Sequence, residues 1–394
     1  MEELPEVPEE FLMSLLPCFE MLQRASIHVY DLKKCIWKKY FRMSLNVLSL
    51  IAFMCALTKY FGEISDGEIQ MAELAYVVSV YVVCIQAILK VAIVLLKMKE
   101  IRAIILELGS MWRTEDLTEV QISKKNALLK RLKLCRIFIW IDIVESWHYT
   151  LAALFETLIR KFILQEECGL LLPFPCSFPF DPTENWIRYI GVYIFETYSI
   201  FRIAYFYLGT ELLMVTMCSL LATEFTLLQE DLLNIKPGNH SLLKDIIRTH
   251  QKLISLADRL DDVFDKVIFV NMTSLSISMC FFGLSAKASH GFLPIAKNLV
   301  AAVGVTLPLF NLSYYGEQLR EASAGVADAA YNNIWYQGDT NYQKLLWFIM
   351  RRSQKPCCLT SMKFSPITLN TFSTVLSTTW SYFSLALSVY EDES

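Results

Sequence analysis

The uncharged stretch from Leu369 to Tyr390 constrains this chain more than any other segment. It matches the ~20 residues that a helix needs to cross the hydrocarbon core of a bilayer. Hydroxyls nevertheless recur along it, at Thr371, Ser373, Thr374, Ser377, Thr378, Thr379, Ser381, Ser384 and Ser388. Contacts between membrane helices favour small and hydroxylated residues, but a helix surrounded by lipid has no use for so many, whereas one lining a wet path does. A membrane-crossing helix of this kind points to transport or signalling rather than catalysis.

Composition agrees with a membrane protein. Of 394 residues, 54% are apolar and 19% charged, against about 45–50% and 25% in soluble domains, and the mean hydropathy is +0.39. One integral membrane domain over residues 1–394 is the expectation. The net charge of −4 leaves no basic surplus for nucleic acid. Eleven cysteines are scattered, mostly in apolar runs where a thiol acts as a small hydrophobe. Cys168 and Cys176 instead flank a proline-rich loop without bases, so they are the disulfide candidates if that loop is extracellular. The sequence fixes no connectivity.

Seven spans are predicted, near residues 41–60, 72–96, 134–159, 186–221, 267–285, 299–316 and 368–390, which gives an all-α membrane fold. Lys and Arg crowd the segments before the first span and after the second, fourth and sixth, whereas 61–71 and 162–185 contain none. The positive-inside rule then puts the N-terminus in the cytoplasm and the C-terminus outside. That orientation is the reverse of a G-protein-coupled receptor. The start, Met-Glu-Glu-Leu-Pro-Glu, lacks the basic residues and apolar core of a signal peptide.

The inner segments have structure of their own. After the break at Pro237-Gly238-Asn239, apolar residues recur at three and four positions from Leu243 through Ile246, His250, Leu253 and Leu260 to Phe264. The pattern runs unbroken into the fifth span. An apolar stripe outside the bilayer must pack against something, and the region 320–343 is the nearest partner. A cytoplasmic helical bundle from about 222–266 and 317–367 is the expectation.

These residues resemble the insect odorant receptor family. The resemblance rests on Arg248 to Phe264 (R-T-H-Q-K-L-I-S-L-A-D-R-L-D-D-V-F), on Tyr331-Asn-Asn-Ile-Trp-Tyr, on Met350-Arg-Arg-Ser-Gln-Lys-Pro, and on Phe372 with Ser381-Tyr-Phe. The first half resembles the family in layout only. Insect gustatory receptors share the architecture, but Trp380 follows Thr379 where they carry Tyr, and Ser388-Val389 stand where Gln-Phe would come. The insertion of the family's shared co-receptor is absent, so the chain looks like a tuning subunit. The resemblance implies a ligand-gated, non-selective cation channel in the plasma membrane of a sensory-neuron dendrite, assembled with the odorant receptor co-receptor (Orco), as a tetramer, around a small volatile ligand. No cofactor is implied.

By position, Leu385, Ser388 and Val389 resemble the family's outer constriction, where apolar side chains gate by excluding water. The plainer reading makes Leu385 and Val389 ordinary packing residues. The family's pocket lies in the outer half of the bundle, and the orientation places Val80, Tyr81, Trp147, Thr150, Leu151, Tyr193, Thr197, Gly304 and Val305 there. Tyr76 and Tyr189, nearer the boundary, fit an interfacial aromatic belt, and Pro308 is a predicted kink.

Charges at bilayer depth face the bundle interior and pair. Asp142 or Glu145 with Arg202 or Lys90 is the expected pairing. Asp142, Glu145 and His148 share one helical face, yet one helix seldom supplies a full ligand set, so no metal is expected. No GxSxG, HExxH or glycine-rich phosphate loop is present, and the five histidines form no close pair with cysteine. An enzyme is therefore not expected. A transporter, the other non-receptor class, would show an internal repeat or paired broken helices, and neither is found.

Overall fold

Long apolar runs bounded by capping residues become long helices here. The computed structural model describes residues 7–29, 36–65, 71–163, 165, 170–289 and 291–393. Among these, ten α-helices follow in order: α1 (Glu9–Arg24), α2 (Ile36–Ser65), α3 (Met71–Leu96), α4 (Met98–Met111), α5 (Glu119–Leu158), α6 (Trp186–Asn234), α7 (His240–Ala288), α8 (Phe292–Asn332), α9 (Thr340–Ser353) and α10 (Leu369–Glu393). A two-residue antiparallel ladder pairs Thr360 with Pro366 and Ser361 with Ser365. The architecture is an all-α, seven-span membrane fold, with the spans carried by α2, α3, α5, α6, α7, α8 and α10. Five helices are long and apolar enough to cross a bilayer by composition alone. In α5 the charges at Asp142 and Glu145 dilute that signal, and in α10 the hydroxyls do.

Local chemistry sets the helix starts. Thr118 and Gln121 close a capping box at α5, with Thr118 Oγ1 accepting from Gln121 N at 3.3 Å and Gln121 Oε1 accepting from Thr118 N at 3.0 Å. Gly238, at φ 93°, makes the turn that Pro237 forces, and Asn239 then caps α7 by accepting from Leu242 N at 3.2 Å. Caps of this kind are each worth about 1 kcal/mol. Once started, α7 runs 49 residues, about 73 Å at 1.5 Å per residue and far more than the ~30 Å hydrocarbon core. Helix α8 continues through Pro308 without a break.

The surplus lengths of α6, α7 and α8 pack on one another and on α9. Phe225, Leu253, Phe264, Leu319 and Tyr342 are fully buried there. Tyr342 donates its hydroxyl to Asn333 Oδ1 at 3.0 Å, and Asn333 Nδ2 donates to the carbonyls of Leu232 and Ile235 at 2.8 and 2.9 Å. This polar clasp ties α9 to the end of α6. The sequence reading did not anticipate α1, which lies along α6 with Phe11, Leu15, Cys18 and Leu22 buried. Gly209 makes that approach possible, since a Cβ there would stand 2.8 Å from Leu22 Cδ2.

In the spanning part α3 lies along α7 and α6 along α8, and α10 packs against α7 and α8. Cys176 is buried, while Cys168, its disulfide candidate, lies outside the described residues.

Candidate functional site

A cavity of about 120 Å³ lies where α3, α5, α6, α7 and α8 come together. Val80, Val83 and Cys84 of α3 form one wall, and Ile200, Ile203, Ala204, Tyr207 and Leu208 of α6 another. Phe282 of α7 and Ala301, Gly304 and Val305 of α8 close it, and α5 contributes Asp142, Glu145, Ser146 and Tyr149. The loop before α6 adds Phe174. That ring stacks on Tyr149 at 6.0 Å between centroids and meets Phe53 edge-on at 5.8 Å. The loop is clipped to α2 by the Ser177 N–H donating to the Ala56 carbonyl at 3.1 Å. An apolar Phe held between prolines therefore caps the space.

Of the residues singled out from the sequence, Val80, Gly304 and Val305 line this cavity. Tyr81, Trp147, Thr150, Leu151, Tyr193 and Thr197 do not. On α5 the difference is one of rotation. Trp147 and Leu151 are 48% and 39% exposed on the outside of the protomer, and the lining residues, Ser146 and Tyr149, sit one and two positions before them. Thr150 is buried but bonds back to the Ser146 carbonyl at 3.2 Å, and Tyr193 donates to the Thr150 carbonyl. On α6 the lining begins a turn deeper than Tyr193 and Thr197. Phe174, Tyr149 and Phe282 were missed. The apolar Leu170–Phe180 loop was the one available signal for Phe174, because a run of Leu, Phe and Pro without charge needs a place to bury.

Gly304 leaves room for its neighbour. The Glu145 carboxylate occupies the place where any side chain at 304 would stand. The expected ion pairs also need correction. Lys90 is paired with Glu211, and both are buried. Glu211 Oε1 further accepts from Asn271 Nδ2 at 2.6 Å, and Gln86 Nε2 donates to Asn271 Oδ1 at 3.1 Å. Lys90 Nζ stands 3.6 Å from the centre of the Tyr207 ring, so that ring separates it from the cavity. Arg202 turns away, donating to the Arg24 carbonyl at the end of α1. Lys90 takes Glu211 because α3 and α6 face each other at that level, whereas Arg202 lies on the α6 face that α1 covers.

On α10, Leu385 and Val389 are 65% and 53% exposed, while Thr379 is buried toward α7. Cys280 of α7 donates its thiol to the Thr379 carbonyl at 3.5 Å. A Cβ at Gly283 would lie 2.8 Å from Phe383, so α10 rests a phenyl ring on bare α7 backbone. Residues 282 and 283 are adjacent, the first on the cavity and the second under α10.

The 7tm Odorant receptor family matches residues 70–380. Putative odorant receptor 92a of Drosophila melanogaster is 26% identical over 239 residues, 59% of this chain and 57% of that one. Odorant receptor 67c of the same species is 28% identical over 221 residues, 55% and 54% of the two chains. The chain thus spans little more than half the length of these two relatives, whereas odorant receptor 67a aligns over 99% of this chain and 100% of its own at 20% identity. The insect olfactory receptor OR5 from Machilis hrabei superposes with a TM-score of 0.79 at 12% identity, covering 97% of this chain and 100% of that one. Its structure in complex with eugenol gives the same score at 13% identity and the same coverage.

Proposed function

Because the chain belongs to the 7tm odorant receptor family, whose members are ligand-binding channels rather than enzymes, we propose that it is the odorant-binding, tuning subunit of a heteromeric ligand-gated cation channel. The carrying observation is the shared wall on α7, where Phe282 faces the cavity and Gly283 seats Phe383 of α10. A ligand that displaces Phe282 disturbs the seat of α10 directly. Apolar lining with few polar groups is the character of a small-molecule site, and the related Machilis receptor was solved with eugenol, a single-ring volatile.

In this reading α10 lines the pore, and Leu385, Ser388 and Val389 form the outer constriction. Their exposure on a lone protomer fits a face that meets neighbouring subunits or water. The partner is the odorant receptor co-receptor (Orco), and the assembly a tetramer in the plasma membrane, with the N-terminus cytoplasmic as the Lys and Arg bias requires. The packed ends of α6–α9 are then the cytoplasmic bundle. Exposed Tyr331, Tyr336, Trp347 and Phe348 give it an aromatic surface suited to subunit contact.

The test is current recorded from oocytes expressing the chain with and without the co-receptor under a panel of volatiles. Rapid cation current confined to the paired cells is expected, with loss of response in Phe282→Ala at unchanged surface expression. A slow, G-protein-dependent response from the chain alone would overturn both the channel and the orientation.

A further inference from the structure

Charges inside the bundle do not balance. Lys90 and Lys297 stand among four carboxylates, Asp142, Glu145, Glu196 and Glu211. Lys90 is committed to Glu211. Lys297 lies over the Tyr76 ring at 4.3 Å, and Glu196 accepts from the Phe174 N–H at 3.1 Å. Asp142 and Glu145, both on the cavity wall, make no direct ion pair or side-chain hydrogen bond among the described residues, and the Lys90 ammonium, held by Glu211, is the one base within electrostatic reach of Asp142. Asp142 also borders a second void of about 20 Å³ shared with Glu211. Glu211 is 5% exposed, and its Oε2 has no hydrogen-bond partner.

Unpaired carboxylates at bilayer depth are costly, and where such groups persist they serve as counter-ions or line a pathway. Asp142 and Glu145 sit three residues apart on one helix face, so their carboxyl groups are neighbours. Tyr149, Phe174, Tyr207 and Phe282 supply the aromatic part of the wall. Carboxylates beside aromatic faces are the chemistry that recognises an ammonium group, by ion pairing and by attraction to the ring faces.

We propose that the cavity selects a small protonated amine, with its ammonium between Asp142 and Glu145 and its apolar part against Tyr149, Phe174 and Phe282. Its size is bounded by the cavity. A ~150 Å³ apolar cavity in another protein takes one benzene, so about 120 Å³ holds a single ring or a short branched chain, with the ammonium drawn toward the void at Glu211. Gly304 belongs to the site because it leaves Glu145 its place. The inference rests on the odorant-receptor reading for its current readout but not for its binding readout.

The experiment compares benzylamine, benzyl alcohol and toluene, which share a ring and differ in the head group. Thermal unfolding of the purified full chain in nanodiscs reads binding, and current from cells with the co-receptor reads gating. Benzylamine is expected to raise the unfolding midpoint more than benzyl alcohol at equal concentration, and to evoke current at tenfold lower concentration or better. Asp142→Asn and Glu145→Gln should each lose that preference for benzylamine over benzyl alcohol. The ranking of the three probes on the unmodified chain stands even if a variant fails to fold. Benzyl alcohol or toluene matching benzylamine in the thermal shift overturns the amine proposal and leaves the receptor reading intact. A thermal shift specific to benzylamine, with no current from surface-expressed complexes to any probe, upholds the amine site and sinks the channel reading.

Discussion

Where the ends of α6–α9 pack together, Glu224 meets Arg113 at 3.3 Å, Asp231 meets the same guanidinium at 2.5 Å, Glu230 pairs with Lys124, and Asp261 takes Lys363 at 2.5 Å as well as the Thr360 hydroxyl at 2.9 Å. In the cavity, Asp142 and Glu145 have no such partner among the described residues. The two regions are built from the same helices, α6, α7 and α8, so the contrast does not come from different scaffolds. Where the helix ends pack on one another, acids and bases close their own account. Around the cavity the two α5 carboxyls have no direct hydrogen-bonded base among the described residues. The first pattern makes a scaffold, and the second is what the amine proposal reads as a binding site.

The comparison is most severely tested by removing packing from the scaffold. Phe264→Ala, at a fully buried position, is expected to cost about 3–5 kcal/mol, read as a large fall in the unfolding temperature of the purified chain. Acid attacks the same region next. His250 lies well before the spanning part of α7, its Nε2 3.3 Å from Ser353 Oγ, and burial, with Arg352 nearby, lowers its pKa from 6.5 to about 4. The folded state holds this ring neutral, so its contribution is complete above pH 6.5 and fades as the pH falls toward 4, by up to about 3 kcal/mol. His250→Gln should flatten that slope in a pH series of unfolding midpoints. An unchanged slope would mean that another group titrates.

Smaller effects separate the two kinds of acid. Glu224→Gln strands part of the Arg113 charge. Arg113 is partly exposed and keeps Asp231, so the expected loss is about 1–2 kcal/mol rather than the full cost of a broken buried pair. Glu145→Gln should do the reverse, leaving stability unchanged or raising it by up to about 1 kcal/mol, because it removes an unpaired acidic group. Destabilisation by Glu145→Gln would mean that the carboxylate already has a partner, and the contrast between the regions would collapse.

Much of this arrangement was legible in the sequence. Five of the seven spans follow from hydropathy alone, and the continuation of α7 follows from apolar residues at three- and four-residue steps ending at Phe264. The register of Phe11, Leu15, Cys18 and Leu22 also carried the helix α1, though its mixture with Glu9, Glu10 and Pro17 hid it. Rotation about the helix axis is what the sequence withholds. In a bilayer both the lipid face and the bundle face of α5 are apolar, so Trp147 and Leu151 look as suitable for the cavity as Tyr149 does. Charge would have resolved the phase. Asp142 and Glu145 cannot face lipid, and the residues that share their side of the helix, Ser146 and Tyr149, are the ones on the cavity. Ion pairing was legible as a need but not as a match, because Lys90 chooses between acids on α5 and α6 by inter-helix geometry alone.

Phe282 and Gly283 are one peptide unit apart, so the α7 wall of the cavity and the support of α10 cannot vary independently. In a receptor that works as proposed, a change of odour preference written at position 282 also alters the resting balance of the pore. The α3, α5 and α6 walls carry no such obligation, since α10 packs on α7 and α8. Divergence in ligand preference among related receptors should therefore accumulate on those three helices, while α7 around 282–283 changes slowly and in concert with position 383.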